Sequence, residues 1–335
     1  MPGLGVAAAL REAPEVAAVY GLGYGPYDAC LNRDDLFDGG FRIPPNLEGP
    51  ALVDWLAALR RTAAIDAVLP CLDFEVPTYA AVAARLADAG VATLLPEPAA
   101  LSRVSKIAIA SGRMRRDWGA FYLPATRRAG SADALRHAVS RLGLPVTIKA
   151  NGTDTAIAHT AAEAGAIWHA MTGRGVRDIL VQTFIHGDEF ALAGVCDAGH
   201  RLVASTAIKK LLACERGKTW AARTVELPAL TAAVAEFLAA RWWRGPFELE
   251  FIRDSFSERF ALLECNPRFP AWIGLSAALA TNLPRVAVLA AHGLPVPAPK
   301  PPGDGIFTRN CRERPVTPLA IATFANTGVV RHARA

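Results

Sequence analysis

The sequence predicts a protein of mixed class, in which an α/β domain with a parallel sheet precedes an α+β region with mainly antiparallel sheets. Two patterns predict this fold class. Residues 1–96 alternate short apolar runs with helical segments, and the chain after residue 178 reads as successive hairpin strands. A pair of strands rich in glutamate, between Glu248 and Arg268, is the third observation. A chain of 335 residues is long enough for two or three packed domains.

The first predicted domain, residues 1–96, follows a strand–helix alternation. Its strands are predicted at residues 16–20, 67–71 and 91–95, and its helices at residues 50–61 and 76–88. Gly90 ends the second of these helices, and Pro96 stops the last strand. The chain opens almost directly into a helix near residues 6–11. The first strand expected of such a sheet is therefore missing, and the chain is predicted to begin late in the domain.

The following region combines helices with antiparallel strands. Helices are predicted at residues 104–118, 131–142 and 230–242, and another begins at Thr160, where Thr160 and Glu163 have the spacing of a capping box. Strands are predicted at residues 145–149 and 178–184, in a hairpin of 189–197 with 201–208, and around 306–310.

The composition limits the class of protein. Apolar residues make up 52% of the chain and charged residues 20%, as in ordinary globular proteins. There is no apolar stretch of about 18 residues and no basic segment followed by an apolar run, so neither a membrane span nor a signal peptide is predicted, and a cytoplasmic location is expected. The six cysteines form no Cys-x-x-Cys pair, which argues against a zinc ribbon or a disulfide framework. The net charge of +5 comes from scattered arginines, so no nucleic-acid partner is predicted.

Lysine is rare in this arginine-rich chain. A position that keeps lysine in such a chain indicates a need for a compact positive charge, of the kind that binds a phosphate. The lysines are Lys106, Lys149, Lys209, Lys210, Lys218 and Lys300.

Two predicted strands bring carboxylates to one face. Alternation places Glu248 and Glu250 on the same side of the first strand, about 6.6 Å apart. If the turn that follows is centred near residue 257, Glu250 lies opposite Glu264 and Glu248 lies opposite Asn266. Opposed like charges destabilise a strand pair unless a cation lies between them, and oxygen ligands of this kind suit Mg²⁺ or Mn²⁺. The sequence therefore predicts a metal site on this face.

Two alternatives compete with the metal site. A charged edge strand would simply be solvated. However, residues 260–263 are apolar on both faces, which favours a buried strand, where an unpaired carboxylate at Glu264 would cost several kcal/mol. Two glutamates on adjacent strands would also suit a glycosidase, but that interpretation leaves the lysines and residues 182–189 unexplained.

The order of these features resembles the ATP-grasp superfamily. The chain has Lys106 near a helix start, Lys149 at a strand end, the segment from Gln182 to Glu189, a lysine pair, and then Glu264-Cys265-Asn266-Pro267-Arg268. The Asn-Pro-Arg element is similar to the carbamoyl-phosphate-synthase and biotin-carboxylase branch. The resemblance implies a pre-ATP-grasp domain at residues 1–96 and a two-lobed ATP-grasp domain at 97–300, with a lid lobe at about 110–182, a metal-binding lobe at about 183–300, and a C-terminal tail at 301–335.

The resemblance also implies the site residues, with ATP and Mg²⁺ or Mn²⁺ as cofactors. The residues implied to bind the nucleotide are Lys106, Lys149, Gly152, Thr153, Gln182, Thr183, Ile185, Glu189 and Lys209. Gln182 would lie beside the purine amine, Glu189 on the ribose hydroxyls, and the backbone of Thr183 and Ile185 at the adenine edge. Glu250 and Glu264 would bridge two metal ions, and Asn266 would hold the second ion. Arg268 would hold an anionic substrate or an acylphosphate oxygen.

Several of these positions have simpler explanations. Lys149 could be a surface lysine at a strand end, Glu189 a polar residue at a hairpin start, and Arg268 a structural partner of Asp254. Alternation lets only one residue of the lysine pair face the site, and we expect Lys209, with Arg268 as the other catalytic residue. Glu248 is expected to orient neighbouring cationic side chains. The phosphate loop at residues 151–155 departs from the family because Asp154 adds a negative charge.

The function implied by the resemblance is that of an ATP- and Mg²⁺-dependent ligase. It would activate a carboxylate as an acylphosphate for attack by an amine, releasing ADP and phosphate without a protein nucleophile. The alternative is an ATP-binding protein without turnover, or a subunit of a larger biosynthetic complex. The expected partners are a small carboxylate and an amine, or a peptide, and a second copy of the chain in a homodimer. The substrate pocket is expected at residues 24–28 and 73–75 and after Arg268, at Phe269, Trp272 and Ile273.

Overall fold

A computed structural model describes residues 2–105, 108–109, 116–150, 155–214, 217–309 and 313–332. Lys106, Gly152 and Thr153, which are among the nucleotide-binding residues expected above, lie outside these ranges, as does Asp154. The strands are β1 (Tyr20–Gly23), β2 (Gly39–Arg42), β3 (Phe121–Tyr122), β4 (Thr126–Arg128), β5 (Val146–Lys149), β6 (Thr155–Ala158), β7 (Leu180–Thr183), β8 (Gly187–Cys196), β9 (Leu202–Ala213), β10 (Thr219–Val225), β11 (Gly245–Asp254), β12 (Phe260–Asn266), β13 (Ile306–Thr308) and β14 (Val329–Arg331).

The helices lie between and around these strands. They are α1 (Pro2–Arg11), α2 (Gly49–Ala63), α3 (Glu75–Ala81), α4 (Ala83–Asp88), α5 (Pro98–Val104), α6 (Ala132–Leu142), α7 (Ala161–Gly173), α8 (Pro228–Ala239), α9 (Gly274–Leu279), α10 (Leu283–Ala291) and α11 (Pro318–Thr327), with a 3₁₀ helix at Ala29–Leu31. None of the described helices is long and apolar enough to cross a bilayer.

A small sheet forms the first part of the molecule. Strands β1 and β2 are parallel, as expected of a parallel sheet, although no strand was predicted at the position of β2. Strand β14 returns from the far end of the chain to pair antiparallel with β2. The strands predicted at residues 67–71 and 91–95 are reduced to a single parallel bridge between Ala67 and Ala92. Helices α2 to α4 cover this region with fully buried side chains, among them Leu56, Val76 and Leu86.

A seven-stranded sheet with the order β13-β10-β9-β8-β11-β12-β3 forms the centre of the molecule. The hairpins β8–β9 and β11–β12 are antiparallel, as predicted. One face packs aromatic side chains against helix α8, with Phe237, Phe247 and Phe251 fully buried. The apolar positions of β11 therefore point to this core, because alternation sends every second side chain to the same side.

A four-stranded antiparallel sheet, with the order β4-β7-β5-β6, carries helices α6 and α7. Helix α7 begins as predicted, with the hydroxyl of Thr160 accepting a hydrogen bond from the amide of Glu163. Helix α6 begins one residue later than predicted, because the hydroxyl of Ser131 accepts from the amide of Ala134 and makes Ser131 the N-cap. This four-stranded sheet lies mainly in the region expected to form the lid lobe and is called the lid sheet below. Residues 184–186 connect it to the central sheet. Gly187 is required where β8 begins, because a Cβ there would lie 1.8 Å from the carbonyl oxygen of Arg253.

Some predicted elements differ from the structure in their bounds. The first strand begins at Tyr20 rather than at residue 16, and the helix predicted at 76–88 is divided at Val82. The helix predicted at 104–118 does not reach its expected end, because Asp117 bridges to Tyr122. Strand β14 was not predicted, since its apolar pattern is too short to distinguish it from a loop.

Candidate functional site

Strands β11 and β12 pair as predicted at the carboxylates. Glu250 lies opposite Glu264, and Glu248 lies opposite Asn266. A β-bulge interrupts the register between Glu250 and Phe251, on the side nearer the turn. The four polar side chains therefore share the face of the sheet that is opposite the aromatic core.

Lys210 joins this face from strand β9. Its Nζ donates to Glu250 Oε2 at 2.7 Å and to Glu189 Oε2 at 3.0 Å. The Lys210 side chain is only 5% exposed. Burial disfavours the ammonium charge, but Glu250 and Glu189 outweigh it and raise the pKa of Lys210 above its ordinary value. The site therefore holds a permanent cation between two carboxylates.

Lys209 points to the other face of the sheet, so the expectation that Lys209 rather than Lys210 faces the carboxylates is wrong. Lys209 Nζ donates to Asp188 Oδ2 at 2.5 Å and lies 5.9 Å from the ring centroid of Phe190. It lines a separate open cavity of about 700 Å³, together with Arg223. The lysine that accompanies Glu189 and Glu250 is Lys210.

The donor set on the glutamate face fits a hard metal ion. Glu250 and Glu264 supply carboxylates at directly opposed positions, and Asn266 supplies an amide on the same face. Carboxylate and amide oxygens are the ligands that Mg²⁺ and Mn²⁺ prefer. In the part of the chain that the structure describes, no cluster of three His, Cys, Asp or Glu side chains is arranged to hold a metal. The metal assignment thus depends on two carboxylates and one amide oxygen.

Glu248 is the most enclosed carboxylate of this group. Its Oε1 accepts from the indole Nε1 of Trp272 at 2.8 Å, and its Oε2 accepts from Asn266 Nδ2 at 3.1 Å and from Arg268 Nη1 at 3.4 Å. These contacts agree with the expected role of orienting a neighbouring cation. Burial, assisted by the charge of Glu250, raises the pKa of Glu248 to about 7, although Arg268 and Trp272 act in the opposite direction.

Replacing Glu248 with glutamine is expected to change how stability depends on pH. The folded-state pKa of Glu248 is about 7, against an ordinary value of 4.5. As the pH rises from 4.5 to 7, the carboxyl therefore ionises in the unfolded chain before it does so in the folded protein, and the wild type loses stability. The free energy of unfolding of Glu248→Gln, relative to wild type, should therefore rise by up to about 3 kcal/mol across this window. Urea unfolding at several pH values measures it. The control is Glu236→Gln on the exposed side of α8, and parallel curves for Glu248→Gln and wild type would contradict the assignment.

Lys149 and Gln182 meet on the lid side of the site. Lys149 Nζ donates to Gln182 Oε1 at 2.9 Å and to the carbonyl oxygen of Leu263 in β12 at 3.2 Å. Both side chains are buried, and Gln182 Nε2 donates in turn to Thr126 Oγ1 at 2.8 Å. Lys149 is therefore not a surface lysine. It links the lid sheet to the strand that carries Glu264.

The segment that follows Gln182 leaves the lid sheet as predicted. β7 ends at Thr183, and Ile185 lies in the connection to β8. The backbone amide of Thr183 is not free for an adenine edge, because it donates to the carbonyl oxygen of Ala125 at 3.0 Å. Adenine recognition through Thr183 would thus need another group, whereas Ile185 stays a prediction.

Arg268 lies at the edge of the glutamate face. Its Nη2 contacts Asp73 Oδ2 at 3.0 Å, in addition to the contact of its Nη1 with Glu248. Burial disfavours the guanidinium charge, but Asp73 and Glu248 together raise the pKa of Arg268. Asp254 instead accepts from the hydroxyls of Tyr122 and Ser257. The alternative of an Arg268–Asp254 pair is therefore wrong.

The sequence did not predict how the segment after Arg268 is supported. Helix α1 packs on α9 and α10, and its Val6 and Leu10 share one apolar cluster with Trp272 and Ile273. Because Trp272 donates to Glu248, helix α1 indirectly supports the site. No local pattern indicates a contact between residues more than 260 positions apart.

Comparison with solved structures shows the same fold in proteins of low sequence identity. Biotin carboxylase from Campylobacter jejuni, a β,γ-ATP complex, matches with a TM-score of 0.65 and 16% identity, covering 88% of this chain and 71% of that chain. The biotin carboxylase domain dimer of Hydrogenobacter thermophilus 2-oxoglutarate carboxylase, in complex with MgADP, ADP and bicarbonate, matches with a TM-score of 0.66 and 13% identity, covering 90% and 71%. N5-carboxyaminoimidazole ribonucleotide synthetase from Thermus thermophilus matches with a TM-score of 0.63 and 19% identity, covering 89% and 78%.

Comparisons of sequence add nothing to these structural likenesses. No protein-family model matches the chain, and no curated protein matches it significantly. At identities below 20% the likeness concerns the fold, and it confirms the predicted fold class.

Proposed function

We propose that this chain, which has the ATP-grasp fold of the biotin-carboxylase branch, is an ATP- and Mg²⁺-dependent ligase that joins a carboxylate to an amine. The observation that carries the proposal is the position of Lys210 between Glu189 and Glu250, on the face that also presents Glu264 and Asn266. Compact cations beside opposed carboxylates suit a nucleotide triphosphate with its metal. A site for a neutral ligand would not need this concentration of charge.

The residues of the site form three groups, according to whether they would bind phosphate, metal ion or acid substrate. Lys149 and Lys210 would contact phosphate oxygens as point charges, one from the lid sheet and one from the central sheet. Glu250, Glu264 and Asn266 would hold Mg²⁺, which neutralises phosphate charge when bound. Arg268, whose planar guanidinium suits a carboxylate or an acylphosphate, would orient the acid substrate.

Catalysis in this proposal depends on position and charge. The acid would attack the terminal phosphate in line with ADP as the leaving group, which gives an acylphosphate. The amine would then attack the acyl carbon and displace phosphate, so no protein side chain forms a covalent bond. The described cysteines fit this view, because burial raises the pKa of Cys30 to about 11 and of Cys71 and Cys196 to about 12. Such thiols are poor nucleophiles at neutral pH.

The solved structures support a nucleotide and a small acid as ligands. The H. thermophilus domain was crystallised with MgADP, ADP and bicarbonate, and the C. jejuni enzyme as a β,γ-ATP complex. ATP or ADP with Mg²⁺ is proposed for this chain by analogy with them. The homodimer and the cytoplasmic location stay predictions.

A second candidate is a protein that binds ATP without turnover, or a subunit of a larger complex. Asp154 in the predicted phosphate loop favours it, since a carboxylate there would repel the phosphates.

An ADP-release screen tests the proposal. Carboxylic acids are crossed with amines in the presence of MgATP, and product masses are measured for every pair that releases ADP. We expect at least one pair to release ADP and to yield a product lighter by one water than the sum of its substrates. If the protein binds MgATP but no pair releases ADP, the second candidate replaces the ligase.

A further inference from the structure

Two connected loops of the first domain carry exposed aromatic rings, and one of them contacts Arg268. One loop, residues 24–28, follows strand β1, and the other, residues 71–75, follows the bridged segment at Ala67. In open α/β sheets, ligands bind at the carboxyl ends of the strands, where such loops converge. The position of both loops therefore suits contact with a substrate.

A buried carboxylate holds the two loops together. Glu75 Oε1 accepts from the Tyr24 hydroxyl at 2.8 Å, and Glu75 Oε2 accepts from the backbone amides of Cys71 and Leu72 at 3.0 and 2.9 Å. Asp28 Oδ2 accepts from the backbone amide of Tyr24 at 2.5 Å. Because these partners satisfy both glutamate oxygens, the loops have one defined arrangement.

This arrangement leaves an aromatic pair open to solvent. The rings of Tyr24 and Phe74 lie 5.5 Å apart between centroids, and 46% of Tyr24 and 64% of Phe74 are exposed. Tyr27, on the first loop, is also exposed. Adjacent exposed aromatic side chains are typical of a binding surface rather than of a solvated one.

The aromatic pair adjoins the cation that would hold the acid. Asp73, the residue next to Phe74, contacts Arg268 Nη2 at 3.0 Å, and Arg268 extends to Glu248 on the glutamate face. An acid held by Arg268 would lie beside the loop that carries Asp73 and Phe74, and Tyr24 is joined to that loop through Glu75. A planar apolar group can stack on these rings, whereas a short aliphatic acid has no ring with which to stack.

We propose that Tyr24 and Phe74 form a specificity surface for acids that carry an aromatic or heteroaromatic ring. This inference rests on the proposed function for the role of Arg268, and it adds the substrate class that the ligase would activate.

Equilibrium binding tests the surface without turnover. Benzoate, indole-3-acetate and acetate are titrated into the protein with Mg²⁺ and a non-hydrolysable ATP analogue, and binding is followed by calorimetry. We expect at least one of the two aryl acids to bind at least about tenfold more tightly than acetate, and Phe74→Ala to weaken that binding about five- to tenfold. Phe74→Leu, which keeps apolar bulk without a planar ring, should show most of the same loss.

The matched control is Phe256→Ala, an aromatic residue that is 87% exposed on the turn between β11 and β12. It should leave aryl-acid binding unchanged. Equal affinity for acetate and both aryl acids, or equal effects of Phe74→Ala and Phe256→Ala, would overturn the inference. Failure of the ligase proposal is distinguishable, because aryl-acid binding would then persist at Phe74 while no acid and amine pair releases ADP.

Discussion

Glu264→Gln is expected to abolish the part of ATP-dependent thermal protection that requires Mg²⁺. A ligand at about 100 times its dissociation constant stabilises the folded state by about 2.7 kcal/mol, which corresponds to roughly 4 °C in a chain of this size. Glu264 lies opposite Glu250. Among the described pairs of β11 with β12, this is the only one in which two carboxylates oppose each other. Glutamine keeps the shape but removes the charge that a divalent cation needs.

Thermal melts with ATP, with and without Mg²⁺, measure this effect. Glu258→Gln is the matched control, because Glu258 belongs to the same hairpin but pairs with Arg253 on its exposed turn. The control should keep the full Mg²⁺-dependent shift. Unchanged protection in Glu264→Gln would remove Glu264 from the metal site.

Lys210→Met is expected to weaken MgATP binding much more than Lys209→Met, because the two lysines lie on opposite faces of the central sheet. Loss of one charged contact with a phosphate costs about 1.5–3 kcal/mol, so Lys210→Met should weaken MgATP binding by about 10- to 100-fold. Lys209→Met should change it less than about twofold, since Lys209 pairs with Asp188 on the opposite face. The reverse order of effects would contradict the orientation of the pair.

The Lys210 variant also leaves Glu189 and Glu250 without the cation that now lies between them. Because 44% of the Glu189 side chain and 27% of the Glu250 side chain are exposed, solvent screens part of this charge, and the loss of stability should stay below the about 3–5 kcal/mol of a fully buried pair. Binding should therefore be measured by calorimetry at low temperature, with circular dichroism to show that each variant is folded. Lys210→Arg, which keeps the charge, should retain more affinity than Lys210→Met.

The choice between Lys209 and Lys210 shows where local patterns stop being informative. Near the turn of the β8–β9 hairpin, Cys196 pairs with Leu202. Continued without interruption, this register would place Glu189 opposite Lys209. A β-bulge at Val195 and Cys196 shifts the pairing by one residue, so that Lys210 meets Glu189 instead. A bulge of this kind has no sequence signal strong enough to locate it.

A second bulge, in the β11–β12 hairpin, brings the pairing into agreement with the predicted register instead of away from it. Near the turn of this hairpin, Arg253 lies opposite Phe260. A turn centred at residue 257 would have placed Arg253 opposite residue 261, so the observed pairing differs from the prediction by one residue. The bulge after Glu250 restores that register at the carboxylates, so the prediction is correct at Glu250 and Glu264 but not nearer the turn. Register is a property of the paired strands rather than of either strand alone.

The sequence by itself determined the carboxylate face, the main antiparallel hairpins and the cap of helix α7. These features depend on alternation, turn residues and hydrogen bonds between near neighbours, all of which a single segment contains. Only the tertiary structure decided which lysine enters the site, that Trp272 and Arg268 share Glu248, and that Asp73 reaches Arg268 across 195 positions. Contacts of this range depend on how the sheets and loops pack together, and no periodicity within one segment carries that information.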